Sequence, residues 1–255
     1  MSIRGAVKSE IGKVRSNNED AYGYFPDAAF YVVADGMGGH VGGEVASKLA
    51  VTTMRESLQQ TQDEDLTPIL DPEGHESLDG RRLLIAIESA NKKVFGLSQQ
   101  DPKLAGMGTT VAALLFEKGG NQANLCHVGD SRIYRIRGQK IEQLTEDHSL
   151  VQQLVREGKL SPTDARVSPH RNVLLQALGI GPAIQPSIRV EVPLPGDIFV
   201  LCSDGVHGVI EESEIFDNVV QVNADPQKVC DGLVDLANAR GGPDNCTVII
   251  LRYEA

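Results

Sequence analysis

The chain predicts an α+β fold in which antiparallel sheets are covered by helices, and three features predict it. Apolar runs rich in β-branched residues read as strands at about 30–34, 109–117, 122–129, 131–137, 187–193, 197–203 and 246–252. Short turn sequences, Lys118-Gly119-Gly120-Asn121 and Arg137-Gly138-Gln139, join neighbouring runs and favour antiparallel meanders over βαβ crossovers. Helical periodicity lies before and after this series, where paired helices would cover the sheets.

Taken in order, Ala29-Phe30-Tyr31-Val32-Val33-Ala34 is an unbroken apolar run leading into Asp35. Over 43–60, Val45, Leu49, Thr53 and Leu58 fall near one helical face; over 81–97, Leu84, Ile87, Asn91, Val94 and Phe95 recur three or four apart. Between them, 61–80 carries Asp63, Glu64, Asp65, Pro68, Pro72 and Gly74 and reads as a flexible acidic loop. The meander strands follow. Residues 145–185 then interrupt the series with a polar, proline-punctuated segment, Ser161-Pro162 through Gly181-Pro182. It reads either as a flap beside a functional site or as an ordinary surface excursion. Shorter helices are expected near 148–157, 171–178, 212–220 and 226–239.

Length and composition narrow the function. At 255 residues with 41% hydrophobic content the chain can bury a sizeable core, built mainly from Val, Ile, Leu and Ala because aromatics reach only 4%. A net charge of -11 without a basic stripe argues against nucleic acid as partner. No apolar leader or membrane-spanning run is visible, so a cytoplasmic, membrane-free protein is expected. Cys126, Cys202, Cys230 and Cys246 form no Cys-x-x-Cys pair, and three lie in apolar runs; they read as reduced core residues. Nothing signals oligomerisation, and a monomer is the expectation.

The chemistry is carried by acidic residues where apolar runs meet turns: Asn18-Glu19-Asp20, Ala34-Asp35-Gly36, Gly129-Asp130-Ser131, Ser203-Asp204-Gly205 and Pro243-Asp244-Asn245. A carboxylate there is costly unless paired, hydrogen-bonded or bound to a cation. Oxygen-only donors point to Mg²⁺ or Mn²⁺ rather than zinc. The glycine-rich stretch after Asp35 is neither a dinucleotide fingerprint, which would need glycine at Val41, nor a P-loop, since no lysine occurs between Lys13 and Lys48. A lone Asp-Gly is more often a turn than a ligand. Several together weaken that reading, although spacing alone does not bring them into one place.

Arg15-Ser16-Asn17-Asn18-Glu19-Asp20-Ala21, Val33-Ala34-Asp35-Gly36-Met37-Gly38-Gly39-His40, Gly108-Thr109-Thr110, Val128-Gly129-Asp130-Ser131-Arg132, Leu144-Thr145-Glu146-Asp147-His148-Ser149, Ser203-Asp204-Gly205 and Asp244-Asn245-Cys246-Thr247-Val248 occur in that order. In this the chain resembles the bacterial branch of the metal-dependent type 2C (PPM) protein serine/threonine phosphatases, over about residues 4–253. The resemblance implies a four-layer αββα sandwich, two antiparallel sheets flanked by helix pairs, with 145–185 as a flap on a single catalytic domain. It also implies two Mn²⁺ or Mg²⁺ ions, with a weaker third, activating a water against phosphoserine and phosphothreonine in proteins, opposite a cognate serine/threonine kinase.

Carried over by position, Asp35 bridges both ions, Asp204 and Asp244 complete one, and the Gly36 carbonyl completes the other. Glu19 matches an additional ligand position, Asp20 orients bound waters, sits in a turn or ligates an ion directly, and Asp130 with Asp204 matches the third site. Arg15 matches the arginine that grips the substrate phosphate; by itself it reads equally as a surface residue. Two departures stand out. Met37 replaces a histidine found in some relatives, leaving His40, His148 or a water as proton donor. Gly208 replaces a third-site aspartate, which His207 could partly replace. Two other functions stay open: a catalytically weak phosphoprotein sensor and a small-molecule phosphoesterase.

Overall fold

The structure, a computed structural model, describes residues 2–38, 41–119 and 122–254; His40 and the predicted turn residues Gly120 and Asn121 lie outside the described residues. The chain opens with β1 (Ser2–Glu10), β2 (Asp20–Phe25), β3 (Phe30–Met37) and α1 (Gly42–Gln60). A small hairpin, β4 (Ile69–Leu70) with β5 (Glu76–Ser77), leads into α2 (Leu78–Gln100). Then come β6 (Gly108–Thr109), β7 (Val111–Phe116), β8 (Ala123–Val128), β9 (Arg132–Arg137) and β10 (Lys140–Gln143). After α3 (Leu150–Arg156) and α4 (Pro162–Val167) the chain returns through β11 (Ser187–Glu191), β12 (Ile198–Cys202), α5 (Asp204–His207), α6 (Glu212–Gln221), α7 (Pro226–Ala239) and β13 (Cys246–Glu254).

One sheet has the order β1-β13-β12-β9-β10; the other runs β11-β8-β7-β3-β2, with β6 also on β3. Every pairing is antiparallel. Side-chain alternation explains why the strands read as continuous apolar runs: both faces are covered. Tyr31 and Val33 on β3, Leu114 and Phe116 on β7, and Phe199 and Leu201 on β12 meet between the sheets. Their neighbours turn outward under helices. Phe30 and Val32 pack with Ala46, Ala50, Ala86 and Ala90 of α1 and α2, while Val200 and Cys202 pack with Val219 and Leu233 of α6 and α7. The predicted four-layer α+β sandwich is thus observed. Arg135 and Arg189 alternate with Glu142 and Glu191 in a ring of ion pairs tying β9 and β10 of one sheet to β11 of the other.

Three local expectations are corrected. Residues 171–178 form no helix: Thr109 and Leu178 exchange backbone hydrogen bonds, and Leu150 and Leu175 N–H groups donate to Val173 and His148 carbonyls. These pairings occupy the bonds that a helix would need. Residues 61–80 are not a loose loop, because Asp71 pins the β4–β5 hairpin. Its carboxylate accepts from Glu73, His75 and Val190 N–H and from the His75 ring at 2.8–3.1 Å. Finally, β1, β2 and β10 were not predicted as strands: β1 and β10 are largely polar or charged, and Gly23 breaks the short run Ala21-Tyr22-Gly23-Tyr24-Phe25 of β2.

Candidate active site

The acidic residues converge at one end of the sandwich. A cleft of about 470 Å³ is lined by Arg15, Glu19, Asp35, Gly36, Asp130, Asp204 and Asp244, together with Met37 and Thr110. Strand ends supply most of them. Asp35 lies near the end of β3, Asp130 in the turn after β8, Asp204 at the start of α5 directly after β12, and Asp244 just before β13. Predicted residue Asp20 does not line this cleft; it lines a second one with Asn17, Asn18 and Glu44. Antiparallel register sets Asp20 directly opposite Asp35. Like charges facing each other across strands are destabilising, so this register demands a proton or a cation.

The electrostatics say the same. Burial, then the carboxylates of Asp20, Asp204 and Asp130, hold Asp35 well above the usual carboxylate range. Asp204 is raised by burial and by Asp244, and its carboxyl lies within hydrogen-bonding reach of Asp35. Burial and Asp204 raise Asp130 as well. Asp20 is raised by burial although Ser203 Oγ donates to its Oδ2 at 2.7 Å. One buried oxygen on each of Asp20 and Asp204, Oδ1 in both cases, has no hydrogen-bond partner. Unpartnered buried carboxylate oxygens are expensive.

The glycines after Asp35 make room. A Cβ on Gly36 would stand 2.1 Å from the Gly43 carbonyl and 2.6 Å from that of Glu19, and one on Gly43 would stand 2.4 Å from Glu19 Oε2. Glycine is therefore required where β3, the β2 entry and the start of α1 touch. Glu19 is held by Ser47 Oγ, which donates to its carbonyl at 2.6 Å, and Gly36 N–H donates to the same oxygen. Arg15 reaches in from the β1–β2 loop and donates from Nη2 to Asp244 Oδ2 at 2.7 Å. That bond, ahead of other causes, raises the guanidinium pKa.

These residues fit hard divalent cations: the donors are oxygens, the cluster carries excess negative charge, and two buried oxygens lack partners. Among the described residues no group of three or more His, Cys, Asp or Glu side chains forms a ready-made cage. An ion here would rest on few carboxylates, a backbone carbonyl and water, as Mg²⁺ commonly does.

The histidines fall elsewhere. His148 does not line the cleft; it stacks on His127 with ring centroids 4.7 Å apart, and its Nδ1 accepts from Gly129 N–H at 3.3 Å. Burial, then His127, push its pKa down to about 4. His207 donates from Nε2 to the Asp130 carbonyl at 3.0 Å and lines an adjoining smaller cleft with Gly208. Sequence reasoning overlooked two wall residues from 145–185, Asn172 and Leu174. The only signal was the position of that segment between strands that end at the site. It also gave Asn245 no role.

The chain is thus an antiparallel sandwich with a carboxylate cleft at its strand ends, and comparison with known proteins assigns it to a family. The profile of the Protein phosphatase 2C family matches residues 12–234; the chain belongs to this family. It is 35% identical over 248 residues to serine/threonine protein phosphatase PstP of Mycobacterium tuberculosis, covering 97% of this chain but only 44% of that protein. With protein phosphatase PhpP of Streptococcus pneumoniae it shares 36% identity over 249 residues, covering 96% of each. A crystal structure of the PstP catalytic domain in complex with two manganese ions superposes with a TM-score of 0.84 at 32% identity, covering 99% of both chains.

Proposed function

We propose that this chain hydrolyses phosphoserine and phosphothreonine in proteins, using divalent cations held in the carboxylate cleft. The observation that carries this reading is the meeting of five carboxylates from distant stretches, Glu19, Asp35, Asp130, Asp204 and Asp244, with one guanidinium, Arg15, around one cleft. A pure phosphoprotein sensor would have no use for so many like charges in one place.

In this reading Asp35, with Asp204 and Asp244 and with the Gly36 carbonyl, would hold two ions, Mn²⁺ or Mg²⁺. Glu19 would add a ligand, Asp20 would orient water, and Asp130 with Asp204 would take a weaker third ion. When bound, such ions supply an activated water and neutralise charge on the phosphoryl group. Arg15 turns its planar fork of donors toward two phosphoryl oxygens, fixing the phosphorus for in-line attack. The carboxylates keep the cleft anionic until cations enter, so the phosphate dianion binds productively only to the loaded protein. No histidine among the described residues lines the cleft, which speaks against His148 as the donor of the leaving oxygen's proton and leaves His40 or a water for that role. Hydrolysis is direct, without a phosphoenzyme.

Asn172 and Leu174 support a flap role for 145–185 on a single catalytic domain, where the segment would meet the polypeptide around the phosphoresidue. Phosphorylated proteins as substrates, a cognate kinase as counterpart, a monomeric state and a cytoplasmic location complete the proposal; no described helix is long and apolar enough to cross a membrane. The test is hydrolysis of a phosphothreonine peptide with Mn²⁺, with Mg²⁺ and after chelation. Turnover is expected with a cation and absent after chelation; robust turnover that survives exhaustive chelation would refute the reading.

A further inference from the structure

The loop that carries Arg15 lies between β1 and β2 and has no regular structure of its own. Its position is set from outside. Asn245 is buried, 4% exposed, and spends its amide wholly on this loop. Its Nδ2 donates to the Ile11 carbonyl at 2.9 Å and to the Asn17 carbonyl at 3.0 Å, while its Oδ1 accepts from Glu19 N–H at 2.8 Å. One side chain therefore grips the loop where it leaves β1 and again before it enters β2.

Two further contacts hold the loop to the same strand entry. Lys13 N–H donates to the Gly242 carbonyl at 2.8 Å. Gly12, at φ +80°, packs so close that a Cβ would stand 2.3 Å from the Asp244 carbonyl. On the other side of Asn245, Asp244 Oδ1 accepts from the Asn245 N–H at 2.8 Å, and its Oδ2 receives Arg15. Arg15, Glu19 and Asp244 are thereby indexed to one residue, Asn245.

We propose that Asn245 is a positioning residue that sets the Arg15 loop in register with the carboxylate cleft and so fixes how the substrate phosphate is held. The inference rests on the proposed reading of Arg15 as the phosphate grip. An amide is required, because the site asks for two donors and one acceptor from a single planar group. Aspartate has the same shape and keeps the acceptor facing Glu19 N–H, but it turns carboxylate oxygen toward two carbonyls.

The test is steady-state kinetics on a phosphothreonine peptide at saturating Mn²⁺ for Asn245→Asp, Asn245→Ala, Arg15→Ala and the double variant Arg15→Ala/Asn245→Ala. Thermal melts of each establish that the protein is folded. Asn245→Asp is expected to raise KM by about tenfold, the equivalent of a hydrogen bond to a charged group, with a smaller change in kcat. The double variant should show the KM of Arg15→Ala alone, since both act through one contact. A purely structural role would instead lower kcat with the folded fraction and leave KM unchanged. That result, or KM effects that multiply in the double variant, would overturn the inference. If Arg15→Ala itself leaves KM unchanged, the reading of Arg15 fails, and the inference falls with it; a raised KM in Arg15→Ala beside an unchanged one in both Asn245 variants sinks the inference alone.

Discussion

At the scale of single residues, the site trades stability for chemistry. Asp35 faces Asp20 across the strand pair and lies within reach of Asp204, and burial raises all three above the ordinary carboxylate range. Strained or like-charged arrangements of this kind are usual where function requires them. Asp35→Asn removes one negative charge at nearly constant shape. We expect it to lower kcat by at least ~10²-fold, the scale of losing one electrostatic partner of the transition state, while raising the melting temperature of the metal-free protein. A variant with near-wild-type turnover at saturating Mn²⁺ would remove Asp35 from the ligand set. Asp35 and Asp204 were legible in the sequence because an Asp-Gly at the end of an apolar run is conspicuous. Asn245 was not, since its value lies in three partners far away in the chain, at Ile11, Asn17 and Glu19.

At the scale of elements, strands were legible where both faces are buried and illegible at the edges. β3, β7, β12 and β13 read as apolar runs because helices cover one face and the opposite sheet the other. β1 keeps nine residues in register with β13 although its own sequence, Ser-Ile-Arg-Gly-Ala-Val-Lys-Ser-Glu, carries little apolar signal. The spacing of Val173, Leu174, Ala177 and Leu178 imitates a helix, yet backbone pairing with Thr109 and His148 decides the conformation. Tertiary hydrogen bonds override local pattern there. The β4–β5 hairpin shows the converse, an acidic and proline-bearing stretch ordered by a single buried carboxylate. Asp71→Ala would strand the Val190 N–H beneath the hairpin. It should cost about 1–3 kcal/mol in urea unfolding and leave kcat unchanged, because the hairpin lies away from the cleft.

At the scale of the whole molecule, the four layers form a rigid frame whose strand ends gather charge, and the cost of that gathering depends on pH. In the metal-free protein Asp20 is pushed up to about 7, by burial first, and Asp130 to about 8, also by burial first, from a usual value of 3.8. A carboxyl whose folded pKa is raised contributes stability that is present below its unfolded pKa and is lost as pH rises through the folded value. The metal-free protein should therefore lose stability between about pH 4 and pH 8 as these groups ionise. A cation that binds the ionised carboxylates returns that stability, and competes with protons at lower pH.

The most direct measurement of the central claim is thermal unfolding with and without Mn²⁺ at pH 5 and pH 8. At a hundredfold excess over Kd, one bound ion stabilises by ~2.7 kcal/mol, which corresponds to roughly 5–10 °C in a chain of this size. The account predicts a rise of that order or more at pH 8 and a much smaller one at pH 5. An equal rise at both values, or none at either, would contradict it.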